Sequence, residues 1–419
     1  MKILIIHFLG ALIFLTFSPA SDWPKFRGPT GDGHANVKSI PLKWNATENV
    51  KWKVPVPGKG WSSPVLSGGK IYLTTAFAEG DNQDAAGVKR ELRALCFDAE
   101  TGKTVWDTKV FDQGASSKAI HKKNSHASPT PIIENGKVYV HFGHMGTACL
   151  DLKGKIIWTN DDLGYNPLHG NGGTPIIVDD LLIYSADALT DPFIVALYKK
   201  DGKVAWKKPR SETPQSRKFS FSTPTLIKTG RGPQVISPAS GAVFSYDPRT
   251  GEELWSVNYG GWSVIPKPGV YKNMIFVGTG YERAHLLGIR IDEKSKGNVT
   301  DSHIEWEITK RAPNTPSFMI VGDLLYFISD GGIATCVEPM TGEVIWQERA
   351  AGPMSASPIH SNGRIYFLDE QGQTTVIKAG RKFEVLARNS INERTLASYA
   401  IGEGVIYIRS LKHLYRIEE

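Results

Sequence analysis

Histidine, lysine and tryptophan gather on a few polar segments of this chain, and these are the side chains that can do chemistry. SSKAIHKKNSHA (116–127) carries three lysines together with His121 and His126. YNPLHGNGG (165–173) carries His169 and Asn171. KKPRSETPQSRKF (207–219) sets lysines and arginines, Lys218 among them, against the single acid Glu212. Ammonium, guanidinium and imidazole groups bind anions, and imidazole can also move protons or ligate a metal. The indoles of Trp61 and Trp262 add flat stacking surface.

Other chemistry is absent by motif. There is no C-x-x-C-H, no H-E-x-x-H, no P-loop and no G-x-S-x-G. GTGYER (278–283) lacks the third glycine of a dinucleotide site. HFGH (141–144) has two histidines at a strand end but no third ligand in view, so no metal site is expected. No Ser–His–Asp set can be assembled from spacing, because a triad is spatial. Cys96, Cys149 and Cys336 each stand two residues before the acidic residue of one repeat, Asp98, Asp151 or Glu338. Ala196 and Ser245 hold that place in other copies, so it wants a small buried side chain, and these three equivalent cysteines are read as structural.

The elements that must position these groups are set by the repeat itself. ALCFDAETGKTVW (94–106) reads as two strands around a Thr-Gly turn, ending on a tryptophan. The unit returns as LDLKGKIIW (150–158), KKDGKVAW (199–206), YDPRTGEELW (246–255) and EPMTGEVIW (338–346). Eight starts precede these units: Pro64, Pro131, Pro175, Pro224, Pro268, Phe318, Pro358 and Tyr399. Each leads to a β-rich strand such as KIYL or RIYF. Copies roughly 40–70 residues apart have room for four short strands, which is one propeller blade. The last copy is one strand short, and NVKWKVPV (49–56) is a strand without neighbours. An all-β, eight-bladed propeller of four-stranded antiparallel blades is therefore expected, closed by pairing of its N- and C-terminal strands. Trp52, Trp106, Trp158, Trp206, Trp255, Trp306 and Trp346 fall on outer strands and are expected to wedge between blades. The position near Val385 has no such residue.

Residues 1–20 read as a signal peptide: Lys2, an apolar run (3–17), and Ser18-Pro19-Ala20 as a cleavage site. Residues 21–48 read as an extended arm that packs on the ring, and 49–419 as the propeller. Export to the periplasm or cell exterior, without a transmembrane span in the mature chain, is the expectation. A formal charge of +7 favours acidic partners or cell-surface polyanions; nucleic acid is not expected, and a monomer is. Most of the long segments fall on one face of the disc, where binding usually resides. The residues before each inner strand should ring the channel mouth: Trp61, His126, Asn171, Lys218, Trp262, Asn314 and Arg394, with His169 beside them. Residues 292–303 form a long polar turn on the other face.

The pattern A-x-D-x-x-T-G-x-x-x-W resembles the tryptophan-docking motif of the PQQ (pyrroloquinoline quinone) propeller repeat. Cys96, Asp98, Thr101, Gly102 and Trp106 fit it, as do Ser245, Asp247, Thr250, Gly251 and Trp255. The blocks WPKFRGPTGDG, KNSHASPTP, HGNGGTP, FSFSTP and HLYRIE are similar to those of secreted PQQ-like propeller proteins of planctomycete-type bacteria. The resemblance covers nearly all of 23–419. It implies one of two roles. Quinoprotein alcohol dehydrogenases hold PQQ and calcium in this propeller, use a catalytic Asp and often stack a vicinal disulfide on the quinone; this chain has no adjacent cysteine pair. The outer-membrane assembly lipoprotein is a cofactor-free propeller that binds proteins; this chain lacks its anchor cysteine. A binding or scaffold module for a protein or anionic ligand at the long-loop face is the main expectation. If PQQ were bound, Lys218 or Arg394 would hold its carboxylates and Trp61 or Trp262 would stack on its ring. A polysaccharide-binding module is the third reading.

Overall fold

The computed structural model describes residues 22–80, 85–117, 120–282 and 284–419; the signal peptide expected at 1–20 lies outside them. Eight antiparallel sheets follow one another along the chain. The first seven blades span 65–113, 132–160, 176–209, 225–258, 269–308, 319–349 and 359–390. The eighth is composite. Ala400–Gly402, Val405–Arg409 and His413–Glu418 receive Val50–Pro55 as their outer strand, with Lys53 opposite Tyr415 and Val54 opposite Leu414. The ring is closed as its sequence predicts.

The strand patterns follow from this geometry. Middle strands such as Arg364–Leu368 (RIYFL) are buried on both sides, because each blade is sandwiched between two others. Outer strands such as Ile156–Asn160 (IIWTN) bury only alternate residues. The tryptophan of each outer strand meets the next blade. Six indole N–H groups (Trp52, Trp106, Trp158, Trp206, Trp306, Trp346) donate to a backbone carbonyl of the following blade's outer turn at 2.9–3.1 Å. The Thr-Gly, Asp-Gly or Lys-Gly turn is the other half of the joint. Gly202 has φ +72, and a Cβ there would lie 2.4 Å from the Trp158 ring. Gly102, Gly154, Gly251 and Gly342 stand in the same relation to Trp52, Trp106, Trp206 and Trp306. Glycine is therefore needed both for the turn and to seat the indole flat against the backbone.

Cross-strand from the tryptophan lies the small residue: Cys96 opposite Trp106, Cys149 opposite Trp158, Cys336 opposite Trp346. All three thiols are buried and free, and burial pushes them up to about 12, 11 and 12. They are inert packing, because burial outweighs the nearby cations and tyrosine hydroxyls that would favour a thiolate.

Trp255 packs against the fifth blade like the other wedges, but its hydrogen bond differs. Its N–H donates at 2.9 Å to Gln234 Oε1 of its own blade, not to the next blade. The cause is the 292–303 segment, which replaces the short turn of the fifth blade. Its Gly297–Asn298 strand runs parallel to Glu253–Asn258 and adds a fifth strand to the fourth blade. The joint between the seventh and eighth blades, which has Ala387 in place of a tryptophan, is filled from the arm. Trp44 is buried in the same cluster as Ala387, and its backbone N–H donates to Asn389 Oδ1 at 2.9 Å.

The arm also crosses the disc on its short-turn face. Trp23 pairs with Leu66, Pro24 O accepts from Ile133 N–H, and Ala35 N–H donates to His360 O. Between these anchors the arm runs beneath the channel, and Phe26 closes its lower end.

Glu393 clamps the composite blade. It accepts from Tyr415 O–H (2.7 Å) and Lys412 N–H (2.8 Å), bonds His413 Nδ1 (2.7 Å), and lies 3.5 Å from Lys53 Nζ of the closing strand. Burial alone would raise its carboxyl, but these hydrogen bonds hold it at about 2, below the ordinary 4.5. A depressed folded value means that the carboxylate's contribution is complete above about pH 4.5 and is lost as pH falls toward 2. Glu393→Gln should therefore flatten the fall in unfolding midpoint between pH 5 and pH 2 ~. A mutant acid limb parallel to wild type would contradict the clamp.

Candidate functional site

The channel is a cavity of about 480 Å³, open toward the long loops and floored by Phe26. Its wall follows the eightfold register. At the foot of each inner strand, just before the proline or aromatic that starts it, seven blades place a hydroxyl: Ser63, Thr130, Thr174, Thr223, Ser317, Ser357 and Ser398. These hydroxyls lock the blades together around the axis. Ser63 N–H donates to Thr130 Oγ1 (3.1 Å), Thr130 N–H to Thr174 Oγ1 (3.0 Å), and Thr174 N–H to Thr223 Oγ1 (3.0 Å). The chain resumes with Lys267 N–H to Ser317 Oγ (3.0 Å) and Ser317 N–H to Ser357 Oγ (3.0 Å). It then passes from Ser357 N–H to Ser398 Oγ (2.9 Å) and closes from Ser398 N–H to Ser63 Oγ (3.2 Å). Only the fifth blade breaks it, with Lys267.

Two residues nearer the mouth, each blade contributes one more wall residue, including Trp61, Phe221, Thr315 and Leu396. Above them an aromatic arc forms on one side: His121 to His169 (ring centroids 5.7 Å apart), His169 to Phe219 (5.6 Å), Phe219 to Trp262 (5.3 Å) and Trp262 to Tyr281 (5.0 Å). The Arg217 guanidinium lies 4.3 Å from the Trp262 ring centroid. The opposite side is polar. Asp330 accepts from Asn314 N–H (2.9 Å), Thr315 N–H (3.0 Å) and Thr315 O–H (2.8 Å), while Lys123 pairs with Glu370 (2.7 Å). Burial raises the Asp330 carboxyl despite those donors.

Of the residues expected at the mouth, the cavity wall takes Trp61, His169, Trp262 and Asn314. Four others lie outside its lining. His126 is buried. Asn171 bonds Tyr165 O–H (2.7 Å) and His144 Nδ1 (3.1 Å). Lys218 pairs with Glu212 at 2.9 Å. Arg394 is exposed, its guanidinium 5.9 Å from the Trp61 ring centroid. The physical reason is that the regular approach extends only about as far as the wall residue two before the hydroxyl. His126 and Arg394 stand four residues before it, on the curve of the loop, where strand alternation no longer sets a side chain's direction. The hydroxyl ring itself was the missed feature. Its signal is the Ser or Thr directly before the landmark proline in SP, TP, TP, TP and SP.

The histidines of HFGH diverge. His141 is buried against Thr147 Oγ1 (2.8 Å), and burial pushes it down to about 3, whereas His144 faces Asn171. A quinone–calcium centre does not fit these residues. Among the described residues no three His, Cys, Asp or Glu side chains converge as metal donors. The single carboxylate of the described lining, Asp330, has both oxygens engaged by Asn314 and Thr315 of its own blade, and the expected carboxylate clamps Lys218 and Arg394 stand outside. The cysteines lie between blades, well away from the channel.

The repeat, the eight blades and the floored channel agree with one comparison across the chain. The family model described as outer membrane protein assembly factor BamB (PQQ_2) matches residues 45–236 and 239–410. The chain belongs to that family. Quinoprotein ethanol dehydrogenase from Pseudomonas aeruginosa is 31% identical over 139 residues, 30% of this chain and 22% of that protein. Tetrathionate hydrolase from Acidithiobacillus ferrooxidans is 20% identical over 357 residues, 79% of this chain and 65% of that protein. The chain thus spans less than two thirds of either relative. Many solved structures share the fold, two of them as follows. BamB from Moraxella catarrhalis superposes with a TM-score of 0.62 at 12% identity, covering 88% of this chain and 97% of that one. Quinohemoprotein alcohol dehydrogenase from Comamonas testosteroni gives 0.63 at 11% identity, covering 95% and 80%. At such identities the likeness to the BamB and dehydrogenase structures concerns the fold alone. No described helix of this BamB-family chain is long and apolar enough to cross a membrane.

Proposed function

We propose that this protein is an exported binding and scaffold module whose ligand enters the channel from the long-loop face. The observation that carries this reading is the cavity: about 480 Å³, floored at one end by the arm and rimmed at the other by an aromatic arc. A concave, largely preformed site with a few convergent polar groups is the usual form of a ligand site. Membership of the assembly-factor family supports a binding role and an envelope location. The ligand is a protein segment or an anionic molecule, with aromatic contacts from Trp61 and Trp262.

Screening the purified protein against an immobilised glycan array and a peptide library tests the reading. Trp262→Ala should weaken a captured ligand by roughly tenfold or more, the usual size of an aromatic anchor's loss. Equal capture by wild type and the Trp61→Ala/Trp262→Ala double variant would move the ligand face elsewhere. Incubation with PQQ and calcium provides the enzymatic control: reduction of an artificial electron acceptor by an alcohol would overturn a purely binding role.

A further inference from the structure

The axial hydroxyls hold a surplus that the fold does not use. All seven belong to buried residues, 3–6% exposed, and all seven line the cavity. Each accepts a backbone N–H, from Ser63 round to Ser398, and none donates its own O–H to a described residue. A buried hydroxyl proton without an acceptor is costly. Accepting an N–H also polarises the O–H and strengthens it as a donor. Seven such donors around one axis therefore ask for acceptor oxygens on that axis. Water can serve some of them, but water must also place its own protons, and the ring offers donors of one sense.

Behind the floor, outside the cavity lining, lies charge of the matching sign. Lys267, which takes the eighth place in the ring, donates through Nζ to Gly31 O of the arm at 2.7 Å. Lys25 reaches the same spot: a Cβ on Gly31 would sit 3.2 Å from Lys267 Nζ and 3.9 Å from Lys25 Cε. Arg27 is 3% exposed; its Nη2 donates to Asp32 O and Phe318 O, and its Nη1 has no partner. Asp32, the nearby acid, spends its carboxylate on Thr30 O–H (2.5 Å) and His34 N–H (3.1 Å). Burial first, then the neighbouring Arg27 and Lys25, pushes Lys267 down to about 7, so an anion seated beside it would favour its charged form. Asp330, the acid of the cavity wall, is held at the level of Asn314 and Thr315, one layer nearer the mouth.

We propose that the foot of the cavity is an oxyanion site, in which a carboxylate or phosphate of the ligand seats on the axial hydroxyl ring above Lys267. This rests on the long-loop mouth being the way in, and it names the end of the ligand that enters first.

Calorimetric titration of the full chain with inorganic phosphate and, separately, with acetate tests it, against chloride at equal ionic strength. Saturable 1:1 binding of either oxyanion is expected, and the stronger of the two identifies the group. Thr174→Val/Thr223→Val should weaken it by about tenfold or more, while Thr174→Ser/Thr223→Ser keeps it. If the valine pair does not fold, Lys267→Met removes the charge without touching the N–H to hydroxyl chain and should also weaken binding severalfold ~. Phosphate and acetate indistinguishable from chloride, or affinity equal in the valine and serine pairs, would overturn the site; neither result bears on array capture through Trp61 and Trp262.

Discussion

Trp255→Ala should cost about 3–5 kcal/mol of stability and leave ligand capture at the mouth intact. Trp255 is 1% exposed and packs with Val257, Ile275, Leu287, Ile291 and Val299, so it joins the fourth and fifth blades. Its N–H and Ser245 O–H converge on one acceptor, Gln234 Oε1, each at 2.9 Å. Truncation leaves a cavity that two rigid sheets cannot close, and takes one donor from a buried amide. A domain's net stability is only ~5–15 kcal/mol, so the melting transition should fall by many degrees. Trp255 does not line the channel, which is why capture should persist. A calorimetric scan with the midpoint within about one degree of wild type would show that the insertion, not the indole, joins these blades.

Asp187→Ala should be comparably damaging, for an electrostatic reason. Asp187 and Arg210 form a bidentate pair at 2.9 and 3.1 Å with side chains 1% and 2% exposed. Arg210 also donates to Ser237 Oγ (2.9 Å) and Tyr246 O–H (3.3 Å), so it bolts the third blade to the fourth. Removing only the acid strands a guanidinium in a dry site, which typically costs ~3–5 kcal/mol. Removing both charges does not: Asp187→Ala/Arg210→Met should recover most of the loss. Urea unfolding of the two singles and the double closes the cycle. Additive losses would mean that the pair acts through packing rather than charge.

The architecture was legible because it is written eight times. Pattern errors at one blade, such as Phe318 or Tyr399 in place of proline, are outvoted by the others, and the short eighth copy points directly to the strand around Trp52. The joints were legible for the same reason, except where 292–303 replaces a turn and leaves Trp255 bonded inside its own blade. The channel wall was half legible. Trp61 and Asn314 lie within three residues of a ring hydroxyl and face inward, whereas Lys218 and Arg394 sit farther along loops whose curvature reverses their direction. Charge drew attention to those loops, but the wall is built mainly from neutral hydroxyls, which composition does not flag. The sealing of the floor by Phe26 and the use of Trp44 at the seventh joint depend on where the arm crosses, and no local pattern encodes that path.

The composite blade dictates an order of assembly. Val50–Pro55 is made early, yet its partner His413–Glu418 is made after seven whole blades. During synthesis the growing chain therefore carries a strand with nothing to pair with and, at its leading end, a raw sheet edge. Local hairpins can form as they emerge, but the long-range step comes last and carries the loop-closure entropy of nearly the whole chain. Until that moment the molecule is a spiral open to intruding strands, which is where a nascent-chain guardian would be most needed.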